Sequence, residues 1–261
     1  MLRTVRDPVQ LAEVAGHEAL SRASLINSEF TIGWTDAGAT VWVGHRDSVE
    51  GDGHRVIGSG PSEGVARILD RLAGELPVEA SFSLPAGSAD GLGRHRTVLR
   101  RDDWELRWLT TAPPRLDLES RVVTLPGDSA EVAELGDEAY PTAEARPGDP
   151  AVRSWAAVRD GSGRLVAAAA DTSSPHTGRI SAVMTAPAAR GHGWGAAVTT
   201  ALSRRMLEEF DLVVLGLYID NDRARRLYDR NGFHGRLIVT SGGWAAPAPL
   251  SSMSSSSEGH E

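Results

Sequence analysis

A glycine-rich turn in the C-terminal half of the chain restricts the fold more than any other feature. The stretch Val183–Ala197 reads Val-Met-Thr-Ala-Pro-Ala-Ala-Arg-Gly-His-Gly-Trp-Gly-Ala-Ala, which indicates a strand followed by a turn and then by a helix. Outward-facing N–H groups in such a turn, together with the positive end of the helix dipole, form a site for phosphate. Gly191, Gly193 and Gly195 let a diphosphate approach the backbone, and Arg190 adds a cation.

The spacing of these glycines excludes two common phosphate loops. A Walker loop requires a lysine followed by Ser or Thr, and the chain contains no lysine. A Rossmann loop requires Gly-x-Gly-x-x-Gly near the start of a βαβ unit, whereas here Gly191, Gly193 and Gly195 alternate. The pattern that fits is Arg190-x-x-Gly193-x-Gly195.

The residues after the loop predict a second strand and a second helix. An apolar face at helical spacing is followed by the nearly continuous apolar run Leu212–Ile219, typical of a buried parallel strand. Asp220–Asp222 supplies a helix N-cap and Asn231-Gly232 a C-cap. The apolar face of the first helix consists of Val198, Ala201, Leu202, Met206 and Phe210.

Two motifs in this order resemble those of the GNAT acyltransferase superfamily. Arg190-x-x-Gly193-x-Gly195 resembles its pyrophosphate-binding motif, and Asn221-x-x-Ala224-x-x-x-Tyr228-x-x-x-Gly232-Phe233 resembles its second motif. The resemblance covers roughly residues 118–240 and implies an α/β (α+β) fold with a mixed antiparallel and parallel sheet flanked by helices. The order of predicted strands from Arg121 to Thr185, an antiparallel meander, agrees with it.

The resemblance also implies a cofactor site for acetyl-CoA. Pyrophosphate would contact backbone amides of the loop, while the pantetheine arm would pair like an extra strand with Val183 and Thr185. Asn221 would contact the pantetheine arm, although an N-cap role explains it nearly as well. The loop residues are Arg190, Gly191, His192, Gly193, Trp194, Gly195 and Ala196, and Met184 completes the strand segment. His192 fits backbone presentation as well as phosphate contact, and Trp194 fits packing.

Tyr228 is the residue that the resemblance implies as general acid, protonating the thiolate of CoA. A half-buried aromatic on an amphipathic helix is its alternative interpretation. No general base is evident, because Ile180–Thr185 carries no acid at a position where the superfamily often has a Glu. Other candidates that border the expected acceptor cleft are Glu138, Glu144, Asp171 and His176.

Three functions remain open from the sequence. The first is an acyl-CoA-dependent N-acetyltransferase in which a primary amine attacks the thioester directly in a ternary complex. The second is a non-catalytic acyl-CoA-binding sensor or partner module, and the third is a structural α/β protein with an incidental glycine loop. The acceptor would be a small-molecule or protein amine.

Composition limits the partners and the location. The net charge of −8 argues against nonspecific nucleic-acid binding. There is no cysteine, hence no disulfide framework, and no apolar run long enough for a signal core or a membrane span. We therefore expect a cytoplasmic protein without nucleic-acid, membrane or metal partners, as a monomer or homodimer.

The chain divides into three predicted segments. Residues 1–114 form an N-terminal α/β domain, 115–242 the catalytic domain, and 243–261 a disordered Ser-rich tail. The N-terminal part carries predicted helices over residues 8–25 and 65–76 and a strand over 40–44, with a glycine-rich turn at 58–64. This order is consistent with a degenerate GNAT-like unit that binds no nucleotide, or with an unrelated α/β cap.

Overall fold

The structure is a computed structural model that describes residues 1–15, 18–24, 29–46, 53–92 and 95–245. The chain forms two compact units. The first contains Met1–Asp103 and the segment from Ile238 onward, and the second contains Trp104–Leu237.

The first unit contains most of the N-terminal elements. In chain order they are β1 (Arg3–Val5), α1 (Pro8–Ala15), α2 (Ala19–Ser24), β2 (Glu29–Asp36), β3 (Ala39–Arg46), β4 (Gly53–Ser59), α3 (Ser62–Arg71), β5 (Ala80–Pro85), a 3₁₀ turn (Ser88–Gly91) and β6 (Thr97–Leu109). Strand β6 leaves this unit after Asp103 and continues into the second.

The second unit continues with two 3₁₀ turns and eight strands and helices before the chain returns. They are the 3₁₀ turn Asp117–Arg121, β7 (Val123–Pro126), α4 (Ala130–Ala139), β8 (Ser154–Arg159), β9 (Leu165–Asp171), β10 (Gly178–Thr185), the 3₁₀ turn Pro187–Ala189, α5 (Trp194–Met206), β11 (Val213–Tyr218) and α6 (Asp222–Arg230). Strand β12 (Gly235–Ala245) begins in this unit and ends in the first.

The two units share one strand topology. In the first, β1, β2, β3 and β4 pair antiparallel in that order, and α3 connects β4 to the parallel strand β5. In the second, β7, β8, β9 and β10 do the same, and α5 connects β10 to the parallel strand β11. An antiparallel strand then borders each parallel one: β12 pairs with β5, and β6 pairs with β11. The bordering strand of each unit is therefore not the next strand in sequence.

Helices cover both faces of the sheet in the second unit. Val198 and Leu202 of α5 pack with Ile180 and Leu215 on one face, and Leu135 of α4 belongs to a separate core on the other. Strand β9 is buried along its whole length. A strand buried on both faces needs a continuous apolar run, which explains the sequence Leu165-Val-Ala-Ala-Ala-Ala.

A buried ionic cluster joins β6 to α6. Glu105 has no exposed side-chain surface, and its Oε2 lies 3.2 Å from Nε of Arg225 and 3.2 Å from Nη2 of Arg236. Arg107 contacts Glu105, and its Nη1 donates to Asp229 at 2.8 Å and to the carbonyl of Phe233 at 2.9 Å. Because a buried charge requires partners, this cluster fixes α6 against the strand near both of its ends.

The predicted domain boundaries stay a prediction, but the compact units divide elsewhere, at residues 103/104 and 237/238. The sequence placed β6 with the N-terminal domain, whereas its residues 104–109 pair with β11 in the second unit. Arg204 donates to the carbonyl of Pro113 at 2.8 Å, which anchors the Pro113-Pro114 segment.

Two boundaries predicted from the sequence were wrong. Gly243–Ala245 belong to β12 rather than to a tail, because β12 pairs with β5 up to Trp244; the rest of the predicted tail lies outside the described residues. The helix expected over residues 8–25 is divided into α1 and α2, with residues 16, 17 and 25 outside the described part.

Removing the carboxylate of Glu105 tests the ionic cluster. Glu105→Ala should lower the free energy of unfolding by about 3–5 kcal/mol, because Arg107 would stay buried without this counter-charge. The measurement is urea unfolding at constant m-value. The control is Glu131→Ala, which removes an exposed carboxylate that accepts from Arg159 at 2.8 Å and should change the midpoint little. Equal shifts for the two variants would contradict a stabilising role for the cluster.

Candidate cofactor and acyl-transfer site

The centre of the candidate site is an opening between β10 and β11. These parallel strands pair only at Gly178, Arg179 and Ile180. Beyond that point β10 continues in register with β9, and β11 continues with β6 as far as Tyr218. The edges of β10 and β11 that face each other therefore have no ladder partner over their C-terminal halves.

A bulge in β10 directs backbone groups into this opening. Ala182 has a φ of 47°, and the register with β9 shifts between Ser181 and Met184. The N–H of Ala186 donates to Val166 on the β9 side at 2.9 Å. Since polar groups alternate between the two edges of a strand, those of Val183 and Thr185 lie on the edge away from β9. The pairing of a pantetheine arm with them stays a prediction.

Met184 differs from its neighbours in the predicted cofactor segment. Its backbone pairs with Ala168 of β9, and its side chain is buried in the core under α4. The groups of Met184 therefore do not face the opening.

The glycine loop presents a row of unpartnered amides. Among the described residues, no protein acceptor contacts the backbone N–H groups of the six residues 191–196, and intrahelical bonding resumes when Ala197 donates to Gly193 at 3.0 Å. Gly191 and Gly193 have φ values of 86° and 82°, which glycine adopts without strain. Six consecutive donors at a helix N-terminus form a concave site for an anion.

Three side chains of the loop support its shape. Nε of Arg190 lies 3.3 Å from the carbonyl of Thr185. Nδ1 of His192 lies 3.0 Å from the carbonyl of Arg190 and 3.3 Å from that of Ala189. The guanidinium of Arg121 lies 4.8 Å above the ring of Trp194. These contacts agree with backbone presentation by His192 and packing by Trp194, while Arg190 and His192 remain exposed.

The residues present fit a diphosphate with an extended arm. A Cβ on Gly195 would lie 3.3 Å from Oγ1 of Thr185, and one on Gly193 would lie 3.1 Å from Cδ1 of Leu118. The loop therefore has room for an approaching ligand only because these positions lack side chains. A resident metal has no comparable site, since the described residues include no group of three or more His, Asp or Glu placed to hold an ion.

Tyr228 lies on α6, within the core that also contains Ile180 and Leu217. Its ring packs edge-to-face on Phe233 at 5.8 Å between centroids. Burial raises the pKa of the Tyr228 phenol well above its usual value, and nearby Tyr140 raises that pKa further. The phenol therefore carries its proton at neutral pH, as a general acid requires.

Asn221 and the acidic candidates have the following partners. Oδ1 of Asn221 accepts from the N–H of Ala224 at 3.0 Å, the N-cap role. Glu138 pairs with Arg164, and Asp171 accepts from the N–H of Ser173 at 3.0 Å. Glu144 is exposed and has no ion-pair partner within the described part of the chain. His176 lies in an exposed turn.

Sequence reasoning missed Tyr140 at the C-terminal end of α4. A lone tyrosine beside a helix end has no motif to mark it. Burial raises the pKa of Tyr140, and so do nearby Tyr218 and Glu144. Only the fold brings this residue to the core that contains Met184 of β10.

In the first unit, one turn corresponds to the glycine loop of the second. The space in front of that turn is filled by other atoms of the chain. It connects β4 to α3 through Gly60 and Pro61. A Cβ on Gly60 would lie 2.2 Å from the carbonyl of Gly38, and one on Gly64 would lie 2.6 Å from the Cβ of Ala39. The β2–β3 turn therefore occupies the space in front of this helix, and Pro61 has no N–H to offer.

Comparisons with known proteins are consistent with this geometry. A protein from Novosphingobium aromaticivorans assigned to the GNAT acetyltransferase family is 23% identical, has a TM-score of 0.51, and is matched over 73% of this chain and 84% of its own. A GCN5-related N-acetyltransferase from Kribbella flavida is 18% identical, with a TM-score of 0.54 and coverage of 89% and 97%. A Drosophila protein is 15% identical, with a TM-score of 0.58 and coverage of 93% and 87%.

Residues 158–240 match the family model described as FR47-like protein, which is GNAT-related. No curated protein matches the chain. The mixed α/β fold is therefore confirmed, and so is the resemblance to GNAT acetyltransferases. None of the helices in the described residues is both long and apolar enough to cross a bilayer.

A side chain at Gly195 should block the cofactor without disturbing the fold. Gly195 has no positive φ, so Gly195→Val avoids the backbone strain that Gly193→Val would add. The valine side chain would contact Thr185. In the parent, acetyl-CoA at ~100 times its dissociation constant should stabilise the native state by about 2.7 kcal/mol. For a chain of this size this corresponds to a rise of roughly 5–10 °C in melting temperature.

The matched control is Gly161→Ala, at a turn where a Cβ would meet nothing within 4 Å. It should keep the full shift, whereas Gly195→Val should lose it. An undiminished shift in Gly195→Val would show that the ligand does not approach this helix start.

Proposed function

We propose that this chain is an N-acetyltransferase that transfers an acetyl group from acetyl-CoA to a primary amine. The observation that carries the proposal is the open edge of β10 beside six unpartnered amides at the start of α5. An edge strand binds an extended amide-bearing arm, and the helix start binds the diphosphate. The two features together match the two chemically distinct parts of CoA.

The chain's residues would perform the reaction as follows. Amides of residues 191–196 hold the diphosphate, and Val183 and Thr185 hold the arm, so that the thioester lies near Tyr228. A backbone N–H in this strand stabilises the negative charge that develops on the carbonyl oxygen. The amine, having lost one proton to solvent, forms the C–N bond; the C–S bond then breaks, and the thiolate takes the proton of Tyr228.

The proton balance closes without a residue of the chain being consumed. Tyr228 recovers its proton from the nitrogen of the new amide. The products are the acetylated amine and CoA, with one proton released for each ammonium ion consumed. We further propose that the enzyme acts in the cytoplasm, as a monomer or homodimer, on a small-molecule or protein amine and not on nucleic acid.

The absence of an acid from β10 favours a second candidate, a non-catalytic acyl-CoA-binding sensor. Binding of acetyl-CoA alone does not separate the two functions. A measurement of free-thiol release from acetyl-CoA over a panel of amines separates them. An enzyme releases CoA in proportion to one of the amines, and a sensor releases none.

Tyr228→Phe tests the general acid. The ring and its packing on Phe233 are kept, but the transferable proton is removed. Turnover should fall by ~10²–10⁴-fold with little change in the affinity for acetyl-CoA. The measurement is kcat by thiol release, with the acetyl-CoA thermal shift as the control for binding. A variant that keeps more than half of the parent rate, with chemistry rate-limiting, would assign Tyr228 to packing.

Each chain should bind one acetyl-CoA. The first unit has the same topology, but its β4–α3 turn is filled by Gly38 and Ala39. Calorimetric titration should therefore saturate at about one ligand per chain, and Gly195→Val should abolish the only transition. Two binding events per chain would contradict this expectation.

A further inference from the structure

Aromatic side chains lie on the face of β11 opposite to Tyr228. Leu215 and Leu217 point into the core shared with α5 and α6. Because side chains alternate along a strand, Gly216 and Tyr218 point to the other face, the one that α4 covers. Tyr218, the last residue of β11, is 53% exposed there.

Trp104 of β6 adds a second aromatic side chain to this face. It is the register partner of Tyr218, and residues directly opposite in an antiparallel pair share a face. A Cβ on Gly216 would lie 3.3 Å from the Trp104 ring, so the indole lies across this glycine. Tyr218 and Trp104 therefore place two aromatic side chains on this face, at the C-terminal end of β11.

Tyr140 is the residue that links these aromatic side chains to the opening between β10 and β11. It ends α4 and packs on the core that contains Met184 of β10. Its pKa is raised by burial and by nearby Tyr218 and Glu144, and Tyr140 in turn raises the pKa of Tyr228. Tyr140, which packs on the core under α4, therefore lies near the other two tyrosines of the chain.

Glu144 is an exposed carboxylate near Tyr140. Glu138 is paired with Arg164, and Asp171 lies 3.8 Å from Arg205. Arg146, two residues beyond Glu144, is paired with Asp137 at 2.9 Å. In the described residues Glu144 has no such cation, so the site offers a negative charge and no matching positive one.

Resting on the proposed function, we propose that Tyr140, Tyr218 and Glu144 bind the acceptor, and that the acceptor is a primary amine with a net positive charge attached to a flat apolar group. An ammonium is recognised by a carboxylate and by the faces of aromatic rings. The aromatic side chains of Tyr218 and Trp104 suit the apolar group of the acceptor. An acceptor with its own carboxylate next to the amine is disfavoured, because it would be repelled by Glu144.

Three amines of related shape serve as probes in the thiol-release assay. Phenethylamine has the ring and the positive charge, phenylalanine adds a carboxylate, and ethanolamine lacks the ring. The parent should show a kcat/KM for phenethylamine on the order of tenfold above the other two. Phenylalanine or ethanolamine as the equal or better substrate would overturn the proposal.

Glu144→Gln tests the charge at constant shape, and the control is Glu138→Gln, which changes a carboxylate near the end of α4 that is paired with Arg164. Glu144→Gln should raise KM for phenethylamine by on the order of tenfold, leave kcat within about twofold, and leave the KM of acetyl-CoA unchanged. Glu138→Gln should change none of these. Tyr218→Ala should raise KM for phenethylamine and not that for ethanolamine.

The failure of this proposal can be distinguished from that of the proposed function. If acetyl-CoA does not stabilise the parent, the cofactor assignment itself fails. If acetyl-CoA stabilises the parent and Glu144→Gln behaves as Glu138→Gln does, only the acceptor site is overturned. A loss of the acetyl-CoA thermal shift in Glu144→Gln would also overturn it, because the residue would then act on the cofactor or the fold.

Discussion

The early end of the β10–β11 ladder is the constraint on which the candidate site depends. A buried backbone group without a partner is costly, so a parallel pair that stops after Ile180 needs either solvent or a ligand to complete it. The bulge at Ala182 makes the separation possible by turning β10 away while β9 keeps its pairing. The unpaired strand edge and the loop amides both lie next to this gap.

The position of Tyr228 depends on a strand that lies far away in sequence. Glu105 and Arg107 of β6 hold α6 near its first turn and beyond its last, and Tyr228 lies between these contacts. This residue must be both buried and placed beside an opening that admits a ligand. A helix tied only by apolar contacts could slide; directional charged hydrogen bonds at two points restrict it. The same contacts include Arg236, which precedes the return of the chain to the first unit.

The C-terminal half could be predicted from the sequence because its signals are local. The apolar run before Asp220, the caps at Asn221 and Gly232 and the glycine loop each specify an element within a few residues, and the structure has strands and helices there. Strand β6 was not predicted, because Arg100–Glu105 is rich in charge and its pairing partner lies more than a hundred residues away. Likewise, Tyr140 acquires its importance only through tertiary packing. The contrast between Glu144 and Glu138 arises in the same way, since it depends on which carboxylate an arginine reaches.

The crossing of β6 and β12 between units has a consequence for biosynthesis. When residues up to Pro85 have left the ribosome, β5 is complete, but its antiparallel neighbour β12 is still more than a hundred residues from synthesis. The edge of β5 is therefore a site for incorrect pairing throughout translation of the second unit. Strand β6 is in the same situation, because it is made early and must wait for β11. The native pairing of β5 is therefore completed only after β12 has been synthesised.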